Sequence, residues 1–397
     1  MIPVISARGI SRTVLSLHAN YADRENYAYT AQSGMMVVMR VALDTGPLHG
    51  HQTGVGTAVS NLSDALGNRN DIQLQPFVLS FRAQIGGNET RLPLPARLAT
   101  RLWARWPWPR ADRWLHNVDL VHGTNYVAPP TSLPTVISMY DCWFLEHPAS
   151  AHPDVRRAGE ILRRSVAAGA WVHTSSNATT RKATALLGTD RVRTVHLGPG
   201  AATVPPSQTP EICQPFADSP FIVAIGTTEH RKRHPWLTRL VPKLNSGVSL
   251  VIAGATGDDT PHLRNTIEGL PLGDKERIHM LGPVDADTKA WLLAHARAMA
   301  YPSLDEGFGF PILEAQHAGL PIVASDVGSI GEVGGDGVAL VDVDDADGFA
   351  AALNALIDHS DDRERHITRG RSNVERFSWQ RCADEMVELY QEVVASS

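Results

Sequence analysis

Residues Tyr301–Leu320 read Y-P-S-L-D-E-G-F-G-F-P-I-L-E-A-Q-H-A-G-L. An apolar run ending at Tyr301 leads into them, so the stretch reads as strand, loop and short helix. Asp305 to Phe310 is the loop, with Gly307 and Gly309 in it. Pro311 suits a first helical turn, where its missing N–H costs nothing. Gly319 followed by Pro321 is a stop signal. Such a layout aims backbone N–H groups into a crevice at the carboxyl end of a strand. The partial positive charge of a helix start there suits a phosphate, and the glycines allow close approach. Glu306 stands before the helix, and Glu314 is expected inside its first turn. Carboxylates face phosphate poorly but accept hydrogen bonds from sugar hydroxyls. A phosphate crevice between two hydroxyl-reading acids describes a nucleotide-sugar. The plain alternative is an ordinary βα turn with two solvated glutamates.

The run E-G-F-G-F-P-I-L-E at 306–314, continued by G-L-P-I-V-A-S-D-V-G at 319–328, resembles the signature of glycosyltransferase family 4. The resemblance implies a retaining, metal-independent enzyme of GT-B fold: α/β, with two Rossmann-like doubly wound domains facing a cleft and a C-terminal helix crossing back to the first domain. It implies that Glu306 contacts donor-sugar hydroxyls and that Glu314 holds the ribose. The amides of Gly307, Phe308, Gly309 and Phe310 would face the diphosphate and sugar.

Bulk properties narrow the class. The 397 residues suffice for two domains. A net charge of −6 argues against a dedicated nucleic-acid binder. No apolar run has the length of a membrane span. Cys142, Cys213 and Cys382 are far apart, giving neither a disulfide framework nor a metal spacing, which points to a reducing compartment. No metal site is expected. The expected location is cytoplasmic, with peripheral contact at the inner face of the membrane.

Residues 1–35 lack a sustained apolar period and read as a disordered arm or an upstream start. The first convincing strand is Val37 to Leu43. It leads to T-G-V-G at 53–56, with a helical pattern from about Thr57. Position 59 is Val, so the dinucleotide fingerprint G-x-G-x-x-G is not met. By resemblance, Gly54 and Gly56 lie over the donor phosphates and the acceptor; otherwise they form a simple glycine turn.

The segment 91–116 holds six arginines against one acid, Asp112, and four of the nine tryptophans. Arg97, Arg101 and Arg105 share a helix face beside Leu98, Leu102 and Trp106, and Pro107 and Pro109 end the helix. A basic, Trp-bearing amphipathic helix of this kind, within the region Arg97–Trp114, suits an anionic membrane surface or an anionic lipid-linked acceptor. The commoner alternative is a solvated basic face over a packed one.

Further on, D-L-V-H-G-T-N-Y-V-A-P-P (119–130) and P-T-V-I-S-M-Y-D-C-W-F-L-E-H-P (134–148) resemble the family's first domain. Many relatives carry His-Asp where this chain has Tyr140-Asp141. Tyrosine can donate a hydrogen bond to a sugar oxygen but cannot take up a proton at neutral pH. The resemblance still places Tyr140 and Asp141 beside the reacting sugar. Strands alternating with helices predict mostly parallel sheets. The Pro-rich stretch 199–220 divides the chain into an acceptor-binding domain, 36–205, and a nucleotide-sugar domain, 206–378, followed by the helix 379–397.

The second domain opens with Phe221 to Ile225 and then G-T-T-E-H-R-K-R-H-P. By resemblance Arg231 and Lys232 grip the donor diphosphate, where fixed cations stabilise the charge released on the leaving nucleotide. Val284, after Gly282-Pro283, matches where relatives meet the base. D-V-D-D at 342–345 reads as a surface turn. The expected function is transfer of a mannose- or glucose-type hexose from GDP-mannose or a UDP-sugar to a glycan or lipid-linked acceptor. A nucleotide-sugar epimerase, or a homologue that binds without catalysis, is the alternative. No cofactor beyond the donor substrate is expected.

Overall fold

The computed structural model of the protein describes residues 38–49, 54–80, 83–149, 151–200 and 203–397. The arm expected over 1–35 lies outside the described residues.

Thirteen strands among the described residues form two sheets, parallel throughout. The first contains β1 (Met39–Asp44), β2 (Ile72–Val78), β3 (Thr90–Arg91), β4 (Leu120–Gly123), β5 (Thr135–Met139), β6 (Trp171–Thr174) and β7 (Val192–Thr194), in the order β3-β2-β1-β4-β5-β6-β7. The second contains β8 (Phe221–Ile225), β9 (Ser249–Ala253), β10 (Ile278–Gly282), β11 (Ala298–Tyr301), β12 (Ile322–Ser325) and β13 (Val338–Val341), in the order β10-β9-β8-β11-β12-β13. Counted within each sheet, the first runs 3-2-1-4-5-6-7 and the second 3-2-1-4-5-6, the doubly wound order with its switch point between the first and fourth strands. The central strands F-I-V-A-I and S-L-V-I-A are buried at every residue, as strands covered on both faces must be.

The helix Trp379–Ala395 carries Cys382, Met386, Leu389, Tyr390 and Val393 into the core of the first sheet, beside Met39, Val41, Leu62 and Leu66. Each large apolar side chain buried this way contributes about 1.5–3 kcal/mol, so the C-terminus is stitched to the first domain. This is the crossing-back helix expected of a GT-B chain.

Two boundaries differ from expectation. The first described helix starts at Gly54, so Gly54 and Gly56 lie in its opening turn and not in a loop before it. The basic helix spans Ala96–Trp103 and ends before Pro107. The turn carries on as Ala104 donates to Thr100 O and Trp106 to Leu102 O, which keeps Leu98, Leu102 and Trp106 in one row. Trp103 is buried against Ile161 and donates its indole N–H to Pro109 O at 3.1 Å.

Candidate active site

The loops after β8 and β11 leave adjacent strands at the second sheet's switch point, where open α/β sheets bind ligands. The β8 loop carries Arg231 and Lys232; the β11 loop carries Asp305 and Glu306. Arg231 Nη1 donates to Glu306 Oε2 at 2.6 Å and to Asp305 O at 2.8 Å. Lys232 Nζ donates to Glu306 Oε1 at 2.5 Å and to the Tyr301 hydroxyl at 3.0 Å. Ser303 Oγ donates to the same Glu306 oxygen at 2.6 Å. The Glu306 side chain is only 6% exposed, so the structure places its carboxylate under the cationic pair as counter-charge, with both oxygens occupied. Burial pushes its pKa up, but Lys232 and Arg231 outweigh burial and bring it down to about 2. Burial opposes the Arg231 charge too, yet Glu306 and Asp141 hold its pKa above the usual range. Burial pushes Lys232 below its usual range against the pull of Glu306.

Beside this cluster the chain turns into the helix Phe310–His317, with Pro311 in its first turn. Gly309 caps it at φ +91°, a left-handed conformation that glycine accepts freely. The amides of Gly307 to Phe310 donate to no acceptor among the described residues. They form the donor-rich helix start inferred above. Glu314 lies one residue past the first turn. It takes a 2.8 Å bond from Lys289 Nζ, at a cavity of about 300 Å³ also lined by Gly200, Val204 and His317. Val284 is half-buried in the second domain's core.

The first domain closes against this loop. Gly307 O accepts from Ser176 Oγ at 2.7 Å, Thr179 Oγ1 at 3.1 Å and Ser175 Oγ at 3.3 Å. A Cβ at Gly307 would sit 1.5 Å from Tyr140 O, so only glycine fits. Lys182 meets Asp305 at 3.0 Å. Glu332 reaches across to the start of the helix Asn177–Leu187, accepting from the Asn177 and Ala178 amides at 2.7 and 3.0 Å and meeting His196 Nε2 at 2.7 Å. A carboxylate from one domain therefore caps a helix of the other. Gly54 also faces the loop: a Cβ there would lie 3.8 Å from the Phe310 ring, whereas one at Gly56 would meet Pro47 O at 3.1 Å.

Asp141 and Tyr140 leave the carboxyl end of β5 toward the same cleft. Burial raises the Asp141 pKa, with Arg231 across the cleft opposing it. The Tyr140 hydroxyl, whose ionisation burial suppresses, lies on the side of Ser138. Ser138 continues inward to His122 Nε2 and His173 Nδ1, both at 2.8 Å, and His122 Nδ1 reaches the Tyr390 hydroxyl at 2.7 Å. His173 is pushed down to about 4 by burial, against its bond to Val195 O. Burial and then His173 hold His122 well below its ordinary range. Both histidines are therefore neutral members of a buried chain that ties the C-terminal helix to the wall of the cleft.

With this geometry in hand, comparison with known proteins is direct. Residues 219–359, which contain the whole cationic cluster and the helix start, match the family described as glycosyl transferases group 1. The match lies wholly within the second domain. It is 29% identical over 300 residues to the O-antigen chain mannosyltransferase B of Escherichia coli, covering 71% of this chain and 77% of that one. Further curated relatives are matched over about half of their own length or less. The fold aligns with sucrose-phosphate synthase from Thermosynechococcus elongatus at a TM-score of 0.70 and 18% identity, covering 90% of this chain and all of that one. It also aligns with the Anabaena HepE structure holding UDP and glucose, at 0.66 and 17% identity, covering 88% and 98%. At these identities the two structures carry the fold, which is GT-B.

Within this glycosyltransferase, several functional groups escaped reading from the sequence. Ser176 caps the helix Asn177–Leu187 and Thr179 lies in its first turn, but nothing in the chain tied either to Gly307. Lys182, Asp305, His196 and Glu332 lie in ordinary polar contexts, and only the packing of two domains reveals them as a clasp. The described residues hold no group of three or more His, Cys, Asp or Glu side chains arranged around one metal position. Asp342 and Asp344 are exposed, Asp344 beside Arg233 at 3.5 Å. No described helix is long and apolar enough to cross a membrane.

Proposed function

We propose that the chain transfers a mannose- or glucose-type hexose from a nucleotide diphosphate sugar to a glycan or lipid-linked acceptor, with retention at the anomeric carbon. The observation that carries this is the set of unsatisfied amides at Gly307–Phe310 beside the Arg231–Lys232 pair. Together they offer a diphosphate both directed donors and fixed charge in a desolvated cleft. The nucleotide-sugar enters between the domains. Its diphosphate lies against the helix start and the two cations, the ribose toward Glu314 and the base toward Val284. Glu306 holds Arg231 and Lys232 in place and is near enough to meet a sugar hydroxyl when the diphosphate draws the cations away.

Cleavage of the anomeric C–O bond leaves negative charge on the diphosphate, which Arg231 and Lys232 stabilise without reorganising. The acceptor hydroxyl attacks from the same face and passes its proton to a leaving phosphate oxygen, so the bond broken and the bond formed balance without a protein nucleophile. Asp141, half-buried and facing Arg231, would stand beside the reacting sugar. No metal is needed in this scheme, because cations and a helix terminus supply the charge.

The test pairs donor binding with transfer. Lys232→Ala is expected to lower transfer by about 10²–10³, and Glu306→Ala to lower it as well. Unchanged turnover in both would remove the assignment. A second reading, donor binding without catalysis, is favoured by Tyr140 itself: burial holds its hydroxyl protonated, so it cannot take up a proton from the acceptor. Calorimetric binding of UDP- or GDP-sugars with no transfer to any acceptor in a cell extract would establish it.

A further inference from the structure

We infer that the face carrying Leu98, Trp106 and Trp108, flanked by Arg97, Arg101 and Arg105, docks the first domain on an anionic lipid bilayer. Leu98, Trp106 and Trp108 are 49%, 55% and 66% exposed, three of the most open large apolar side chains among the described residues. They are presented by a segment that is itself firmly anchored. Ala99 and Trp103, on the inner side of the same helix, are buried against Ile161, and the Trp103 indole bonds to Pro109 O. A protein with no partner for two tryptophans on a rigid mount leaves them in water at a cost that an amphipathic interface removes.

The charge is complementary to that partner. The chain as a whole carries −6, yet this segment is strongly basic. Its one acid, Asp112, is already taken by Arg110 at 2.9 Å and by the amide of Ser132 at 2.7 Å. Among the described residues, Arg97, Arg101 and Arg105 have no carboxylate partner. Arg105 instead lies over the Trp106 ring at 5.5 Å. Arginines beside exposed tryptophans match a headgroup layer, where the ring enters the interface and the guanidinium meets lipid phosphate.

The placement is also useful. β3 runs parallel to its neighbours, so its carboxyl end, five residues before Ala96, lies at the same end of the sheet as Asp44 and Asp141. The helix that bears the face therefore starts near that end of the sheet. The inference stands on exposure and charge and holds whichever donor the second domain takes.

The experiment is sedimentation of the full chain with vesicles of phosphatidylcholine, alone or mixed with phosphatidylglycerol. Trp106→Ser/Trp108→Ser and Arg97→Gln/Arg101→Gln/Arg105→Gln are the variants. The unaltered protein is expected to sediment only with the anionic vesicles, and brominated lipid is expected to quench part of its tryptophan emission. Each arginine removed should weaken partitioning about fivefold, so the triple variant loses about a hundredfold. The tryptophan variant should lose the quenching. Unchanged circular dichroism and unchanged thermal stabilisation by nucleotide diphosphate confirm that the variants are folded. No sedimentation of the unaltered protein, or sedimentation of folded variants at its level, would overturn the inference.

Discussion

Replacing Glu306 by Gln removes one negative charge from beneath two cations and leaves nearly everything else in place. The ionised carboxylate is favoured from the ordinary 4.5 down to about 2. At about 1.4 kcal/mol per tenfold change in proton affinity, that preference is worth about 3 kcal/mol. It agrees with the roughly 3–5 kcal/mol lost when one partner of a buried ion pair is removed. Glutamine also turns an amide N–H toward either Lys232 or Arg231. The ligand-free variant should therefore melt about 6–12 °C below the unaltered protein. The difference should be full above pH 4.5 and narrow as pH falls toward 2, because a carboxyl with a depressed folded pKa loses its contribution as it protonates. Nucleotide diphosphate should reverse the order of effects. With the counter-charge gone, Arg231 and Lys232 are free to meet phosphate, and affinity should rise about tenfold or more. Melting curves with and without UDP and GDP read both quantities. A double-mutant cycle with Arg231→Ala isolates the pair. A variant that melts within about 1 °C of the parent, or that gains less than the parent from diphosphate, would refute the idea that Glu306 is the counter-charge of a phosphate site.

Three further outcomes follow from the same geometry. Gly307→Ala drives a Cβ into Tyr140 O, so the domains should no longer close. Solution scattering should show an expanded particle, and transfer should fall by about a hundredfold or more; an unchanged scattering curve would contradict this. Tyr140→Phe should leave transfer near its parent rate, because burial keeps the hydroxyl protonated and unable to act as a base; a large loss of transfer would contradict this. His173 is held neutral down to about 4 and protonates in the unfolded chain near 6.5. Stability should fall as pH drops through 6.5, by about 3 kcal/mol from this residue once below 4. Subtracting the urea midpoints of His173→Asn between pH 7 and pH 4 isolates that part.

Tyr301–Leu320 settled the class of the protein, because a strand, a glycine loop and a Pro-started helix are local features. The same holds for β8 and β9, whose short apolar runs are what buried parallel strands require. The helix Asn177–Leu187 was legible at both ends, from its Ser176 cap and the left-handed Gly188 after it. β2 escaped notice because its Gln73, Gln75 and Pro76 interrupt the apolar run of a strand that lies near the sheet edge. The arrangement of charge in the cleft was not legible at all. Glu306 meets Arg231 and Lys232 across more than seventy residues, and its choice of cations over solvent depends on burial by both domains. The buried chain Tyr390–His122–Ser138–His173 joins the last helix to two strands of the first sheet and is equally invisible in the sequence. Side-chain type and local pattern are carried along the chain, whereas partners at long range are set by packing. The sequence alone therefore determined that a GT-B glycosyltransferase fold is present, and only the tertiary structure decided which groups are spent on one another and which remain free.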